Sequence, residues 1–159
     1  MLVACKHRPT GEQLIDPKER IEDYKIPDEI KAPKDDEAES GLILESVEGL
    51  NPIFFDYDRA DIRYDQIGIL QANARYLRDT SSEKIQIQGH CDERGTEEYN
   101  LALGDRRART VKEYLTALGI PNEKLSTISY GEATPFEVGH NEAAWSKNRR
   151  AQFLEKQYR

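Results

Sequence analysis

Lys84-Ile85-Gln86-Ile87-Gln88-Gly89-His90-Cys91-Asp92-Glu93-Arg94-Gly95-Thr96 reads as a strand running into a polar loop. Ile85 and Ile87 alternate with Gln86 and Gln88, the period of two that a strand imposes, up to Gly89. The loop from His90 to Thr96 has nothing apolar to bury beyond Cys91. A long helix is predicted from about Glu97 to Leu118, where Gly119 ends it and Pro121 follows. Val111, Leu115 and Leu118 mark its buried stripe.

Outward from this unit the pattern continues. Ile53-Phe54-Phe55-Asp56-Tyr57 is aromatic-rich and predicts a buried strand. Ile67, Leu70, Ala74 and Leu77 recur every three or four residues, predicting an amphipathic helix from about Asp65 to Arg78. Downstream, Leu125-Ser126-Thr127-Ile128-Ser129 is a third strand and Glu142 to Lys147 a short helix. Arg150 to Lys156 is a last strand with Ala151 and Phe153 on one side. The order β-α-β-α-β-α-β predicts an α/β two-layer sandwich, with helices packed on one face of a four-stranded mixed sheet. The folded domain is expected over residues 46–158, a normal size for one core. Residues 1–45 hold Pro9, Pro17, Pro27 and Pro33 and the run Lys34-Asp35-Asp36-Glu37-Ala38-Glu39-Ser40. That composition cannot offset its ordering entropy and predicts a flexible tether. Within it, Leu42-Ile43-Leu44 is apolar enough to pack on the domain's edge.

Of 159 residues 33% are charged, with a net charge of −7. That sign argues against nucleic acid as a partner, because phosphate contacts need clustered Lys and Arg. No apolar run approaches the ~20 residues of a membrane-spanning helix. No cofactor and no metal centre are expected. His90, Cys91, Asp92 and Glu93 are consecutive and cannot all turn toward one ion. Cys91 is expected as a buried small residue rather than a nucleophile, with His90 on the opposite side of the chain.

Three charged residues break local rules together. Arg107 sits about 40° around the long helix from Val111, whereas Arg106 and Arg109 fall about 140° and 160° away, so only Arg107 points inward. A buried guanidinium needs an anion or several acceptors. Asp58 and Asp92 each follow the carboxyl end of a predicted strand, where open α/β sheets bind ligands. If those strands are neighbours, both carboxylates reach one rim, and Arg107 reaches it from the start of its helix. Two negative groups and one positive are complementary to a zwitterion. Arg107 would hold a carboxylate, and Asp92 and Asp58 an ammonium. An internal Asp92–Arg107 ion pair locking loop to helix is the structural alternative.

Other residues have plainer roles. Gly95 is expected to serve both the turn and close backbone approach by a ligand, and Gly89 the turn. Arg149 and Arg150 are expected to pin a strand edge through salt bridges rather than form a phosphate patch. Tyr99 and Tyr114 are expected at the core or its boundary. Trp145 is expected on the sheet or partly exposed, and His140 in a structural turn.

Gly89 to Asn100, then Leu103-Gly104-Asp105-Arg106-Arg107-Ala108 with Val111 and Leu115, resemble the signature of OmpA-like peptidoglycan-binding domains. Phe55-Asp56-Tyr57-Asp58 upstream, and Tyr130-Gly131-Glu132, Pro135, Gly139-His140 and Lys147-Asn148-Arg149-Arg150-Ala151 downstream, are similar in the same order to the peptidoglycan-associated lipoproteins of that family. The resemblance runs from about Ile53 to Phe153, and ordered spaced motifs are far more specific than one short pattern. It implies non-covalent binding of the meso-diaminopimelate of peptidoglycan stem peptides, with Asp92 and Arg107 as main anchors. It places Asp58 and Tyr57 at the same site, and Asn100 and Leu103 beside them. Many members have Thr where Cys91 stands; a small residue there is not expected to cost binding. Leu2-Val3-Ala4-Cys5 looks like a lipobox, so the resemblance also implies lipid on Cys5 and an outer-membrane anchor with the domain in the periplasm. A TolB-like periplasmic partner within a Tol-Pal-like system for envelope integrity and division is implied by analogy alone.

Two other functions compete with a non-enzymatic anchor. Paired carboxylates could serve a peptidoglycan hydrolase, although a neighbouring Arg107 would keep them ionised and poor as general acids. The same domain could also anchor another envelope machine to the wall. Asp92→Ala and Arg107→Ala are each expected to remove wall binding and leave the fold intact.

Overall fold

The structure, a computed structural model, describes residues 42–80 and 84–158. Cys5 and the tether expected before residue 42 lie outside the described residues. The elements are β1 (Leu42–Ser46), β2 (Ile53–Phe54), α1 (Tyr64–Asp79), β3 (Ile85–His90), α2 (Glu97–Ala117), a 3-10 turn (Asn122–Lys124), β4 (Leu125–Gly131), α3 (Glu142–Asn148) and β5 (Arg150–Tyr158). Both long helices fall where periodicity places them. Thr96 caps α2, its hydroxyl accepting from the Tyr99 amide at 3.2 Å, with Glu97 and Glu98 in the first turn. Gly119, at φ 92°, stops it.

The mixed sheet runs β1-β5-β3-β4, and β2 also pairs with β5. β1 lies antiparallel to residues 154–158 and β2 to residues 150–151, so the two short strands share one edge end to end and the sheet is four strands wide. The Leu42-Ile43-Leu44 segment is thus paired to the domain's edge, as its apolar character predicts. β3 and β4 are parallel, and β5 is antiparallel to β3. Two expectations are corrected. The first aromatic strand ends at Phe54, after which the chain turns out toward the rim, and Asp58 adopts φ 56°. Nor are β2 and β3 neighbours, because β5 lies between them. Being antiparallel, β5 begins at the rim where β2 and β3 end, and this delivers Arg149 between them.

One face of the sheet carries the core. Ile85, Ile87, Ala151 and Phe153 meet Leu70, Ala74 and Leu77 of α1 and Ala108, Val111 and Leu115 of α2. The alternate positions of β3 face away. There Gln88 donates to Gln86 along the strand at 2.9 Å and accepts from Gln152 of β5 at 2.8 Å, so the side-chain amides satisfy one another along and across strands.

Gly89 has a stronger reason than the turn. A Cβ there would lie 1.8 Å from the Gly104 carbonyl oxygen, and one on Gly104 would lie 2.3 Å from Ser129 Oγ. The glycine pair lets α2 lie directly on β3, three residues before Arg107.

Candidate ligand-binding site

At the rim where β2 and β3 end, Tyr57, Asp58, Asp92, Gly95, Asn100, Leu103 and Arg107 line one cleft of about 260 Å³, together with Cys91, Arg94, Tyr99 and Arg149. All seven residues singled out from the sequence are brought together. Arg94, Tyr99 and Arg149 were not foreseen as part of it. The volume lies below the range of drug-sized pockets, about 300–1,000 Å³, and suits a terminal group rather than a polymer.

Arg107 is 1% exposed, on the inward face predicted for it. Its Nε donates to the Arg59 carbonyl at 2.8 Å, Nη1 to the His90 carbonyl at 2.8 Å and Nη2 to the Asp56 carbonyl at 3.1 Å. Nη1 also lies 3.4 Å from Cys91 Sγ. Backbone carbonyls, not a carboxylate, therefore satisfy the buried guanidinium. Among the described residues one N–H on Nη2 has no partner, and the positive charge stays at the cleft floor. Burial lowers the Arg107 pKa, and Asp92 and Asp58 act against that shift.

Asp92 is 4% exposed, and its partners are other arginines. Arg94 donates to it from its amide at 3.2 Å, from Nε at 3.2 Å and from Nη2 at 2.7 Å. Arg149 Nη1 donates at 3.2 Å. The Asp92–Arg107 lock considered from the sequence is replaced by these two pairs. Burial works to raise the Asp92 pKa, but the bonds from Arg94 and Arg149 outweigh it and hold the carboxyl below its ordinary value. Arg149, itself buried, also donates to the Phe55 carbonyl at 3.0 Å and to Glu142 at 2.6 Å. It ties the end of β2, the β3 loop and α3 together. The strand-pinning role predicted for it holds, on a central strand rather than an edge. Arg150 differs: it donates to Gln152 at 2.9 Å and lies 5.4 Å from the Phe136 ring centre.

Arg94 is sandwiched, its guanidinium carbon 3.9 Å from the centre of the Tyr57 ring and 4.2 Å from that of Trp145. Trp145 donates to Glu93 at 2.8 Å, and His140 bonds the same carboxylate at 2.7 Å. Tyr99 is half-buried, as expected of a boundary aromatic, and it also donates its hydroxyl to Asp58. Tyr114 does pack against the core. Asn100 donates to the Asp92 and Arg94 carbonyls, each at 3.2 Å, and to Glu132 at 2.5 Å, which fixes the loop's backbone. Gly95 adopts φ 118°, a conformation that side chains disfavour. Cys91 is buried as predicted, and burial pushes its thiol up to about 11, so it is no thiolate nucleophile near neutral pH. The missed residues had weak sequence signals. Arg94 sits in a loop with no periodicity, and Arg149 joins the site only through the strand order.

A sheet with two helices on one face and a charged cleft at the strand ends is the class of domain this fold and site define. The family pattern described as the OmpA family matches residues 54–149, and the chain belongs to that family. It is 52% identical over 101 residues to the peptidoglycan-associated lipoprotein of Haemophilus influenzae, covering 64% of this chain and 66% of that protein. For the protein of the same name from Pasteurella multocida the identity is 50%, over 64% of this chain and 67% of the relative. The matches therefore span about two thirds of these relatives' lengths. The crystal structure of the peptidoglycan-associated lipoprotein from Burkholderia pseudomallei superposes with a TM-score of 0.62 at 42% identity, covering 67% of this chain and 89% of that one. The C-terminal domain of Helicobacter pylori MotB gives 0.62 at 22% identity, over 66% and 83% of the two chains, a likeness of fold alone.

Proposed function

We propose that this protein binds peptidoglycan without covalent chemistry, through the free zwitterionic end of a diamino acid in the stem peptide, meso-diaminopimelate by family resemblance. The observation that carries the reading is the cleft in which Asp92, Asp58 and Arg107 converge at one rim. Its small volume supports a terminal group as the ligand. The ligand's carboxylate sits against the remaining Arg107 N–H and the positive floor, and its ammonium goes to Asp92 and Asp58. A carboxylate bonded by two arginines stays ionised and cannot deliver a proton, which favours an anchor over a hydrolase. The names of the relatives support peptidoglycan association. The same names print a lipoprotein, which supports a lipid anchor; its place on Cys5, in an outer membrane with the domain in the periplasm and serving envelope integrity, rests on the family resemblance. A TolB-like partner rests on the resemblance only.

The test is retention on purified sacculi. Asp92→Asn and Asp58→Asn keep side-chain shape and remove charge, and Asp92→Asn should lower retention at least tenfold in a protein that still folds cooperatively, with a lower melting temperature because buried Arg149 loses its carboxylate partner. Arg107→Ala is a poorer probe than the sequence led us to expect, because it strips donors from three backbone carbonyls and weakens the fold as well. Full retention by the folded Asp92→Asn variant would refute the site. Release of wall fragments by the wild type would refute the non-enzymatic reading.

A further inference from the structure

We propose that Tyr57 and Trp145 form an aromatic clamp above Asp92 that receives the ligand's ammonium, and that in the free protein the side chain of Arg94 occupies it as a removable stand-in. The inference rests on the reading of the cleft given above; it adds Trp145 to the cleft and gives Arg94, already in its lining, a role there. A cation held between two ring faces with a carboxylate at its edge is an arrangement proteins use to bind ammonium groups. Here the ring centres stand 3.9 and 4.2 Å from the Arg94 guanidinium carbon.

Of the four donor contacts on Asp92, three come from Arg94 and one from Arg149. An incoming ammonium can reach Asp92 only if one arginine leaves. Arg149 is 6% exposed and tethered to the Phe55 carbonyl and Glu142. By contrast the Arg94 side chain is 29% exposed at the rim. Its departure leaves the rest in place. Asn100 holds the loop by the Asp92 and Arg94 carbonyls, and Glu93 holds Trp145 by its indole N–H. Exchanging a guanidinium for an ammonium also keeps the Asp92 carboxylate paired, so no buried charge is stranded during binding.

Trp145 is the chain's one tryptophan, so its emission reports directly on the clamp. The full chain is titrated with free meso-diaminopimelic acid, following Trp145 emission and, for all variants, heat of binding. Arg94→Ala should bind about fivefold tighter than wild type, the size of one partly exposed ion pair with its ring contacts. Ligand should shift Trp145 emission in both proteins. Trp145→Ala in the Arg94→Ala background should lose several-fold in affinity, which a strut that merely positions Arg94 would not do. Weaker or unchanged binding by Arg94→Ala overturns the proposal, as does a silent Trp145 or an absence of saturable binding in both proteins. Asp92→Asn separates the two levels. If it binds like wild type, the cleft itself is misread. If it loses binding while Arg94→Ala does not tighten, only the clamp fails.

Discussion

Asp92 and His90 sit two residues apart, both almost wholly buried, and the protein keeps one charged and the other neutral. Asp92 has two arginines against it. His90 has the hydroxyl of Thr134 at 3.1 Å from Nδ1, the ring of Tyr130 stacked at 5.6 Å and, among the described residues, no partner on Nε2. Burial, aided by the nearby Arg150 charge, lowers the His90 pKa to about 3. The unfolded chain therefore takes up a proton below about pH 6.5 that the folded chain refuses. Stability is lost as pH falls from there toward 3, by at most about 1.4 kcal/mol per pH unit from this group. Chemical denaturation of wild type and His90→Gln between pH 7 and 4 should show a steeper decline in wild type; parallel declines would refute the buried neutral imidazole. At this scale Asp58, Asp92 and Arg107 were legible in the sequence, because each breaks a periodic or strand-end rule. Arg94 was not, because a loop side chain declares neither its direction nor its partner until the rings beside it are placed.

The packing of α2 on β3 turns on Gly89 and Gly104. Overpacking a core costs about 1–3 kcal/mol, and here the added methyl group would meet backbone and a serine hydroxyl well inside contact distance. Gly104→Ala should therefore lower the melting temperature by roughly 4 °C per kcal/mol lost. It should also weaken sacculus binding, because the helix that carries Arg107 must lift from the strand that carries Asp92. An unchanged melting temperature would refute the close contact of α2 with β3 at Gly104. The helix boundaries were legible from capping and period: Thr96, Gly119 and the Val111–Leu115 stripe suffice. The glycine contact was not, since it depends on two elements meeting.

For the molecule as a whole, the domain uses β1, which begins four residues before the boundary expected at residue 46. β1 covers residues 154–158 of β5, which would otherwise present an unpaired edge. A chain beginning at Val47 should melt several degrees lower than one beginning at Gly41, and should self-associate on concentration, measured by calorimetry and light scattering. Equal melting and a monomeric state in both would show the strand to be dispensable. The sequence by itself determined the α/β order, the inward face of α2 and the place of Asp92 just past the end of β3, because periodicity and chain direction are local properties. Only the tertiary structure decided that β5 runs between β2 and β3 and carries Arg149 into the cleft. It also decided that Arg107 is satisfied by carbonyls and that Arg94 stands over Asp92. Strand order and side-chain partners are set by which surfaces pack together across the fold, and no local pattern records that.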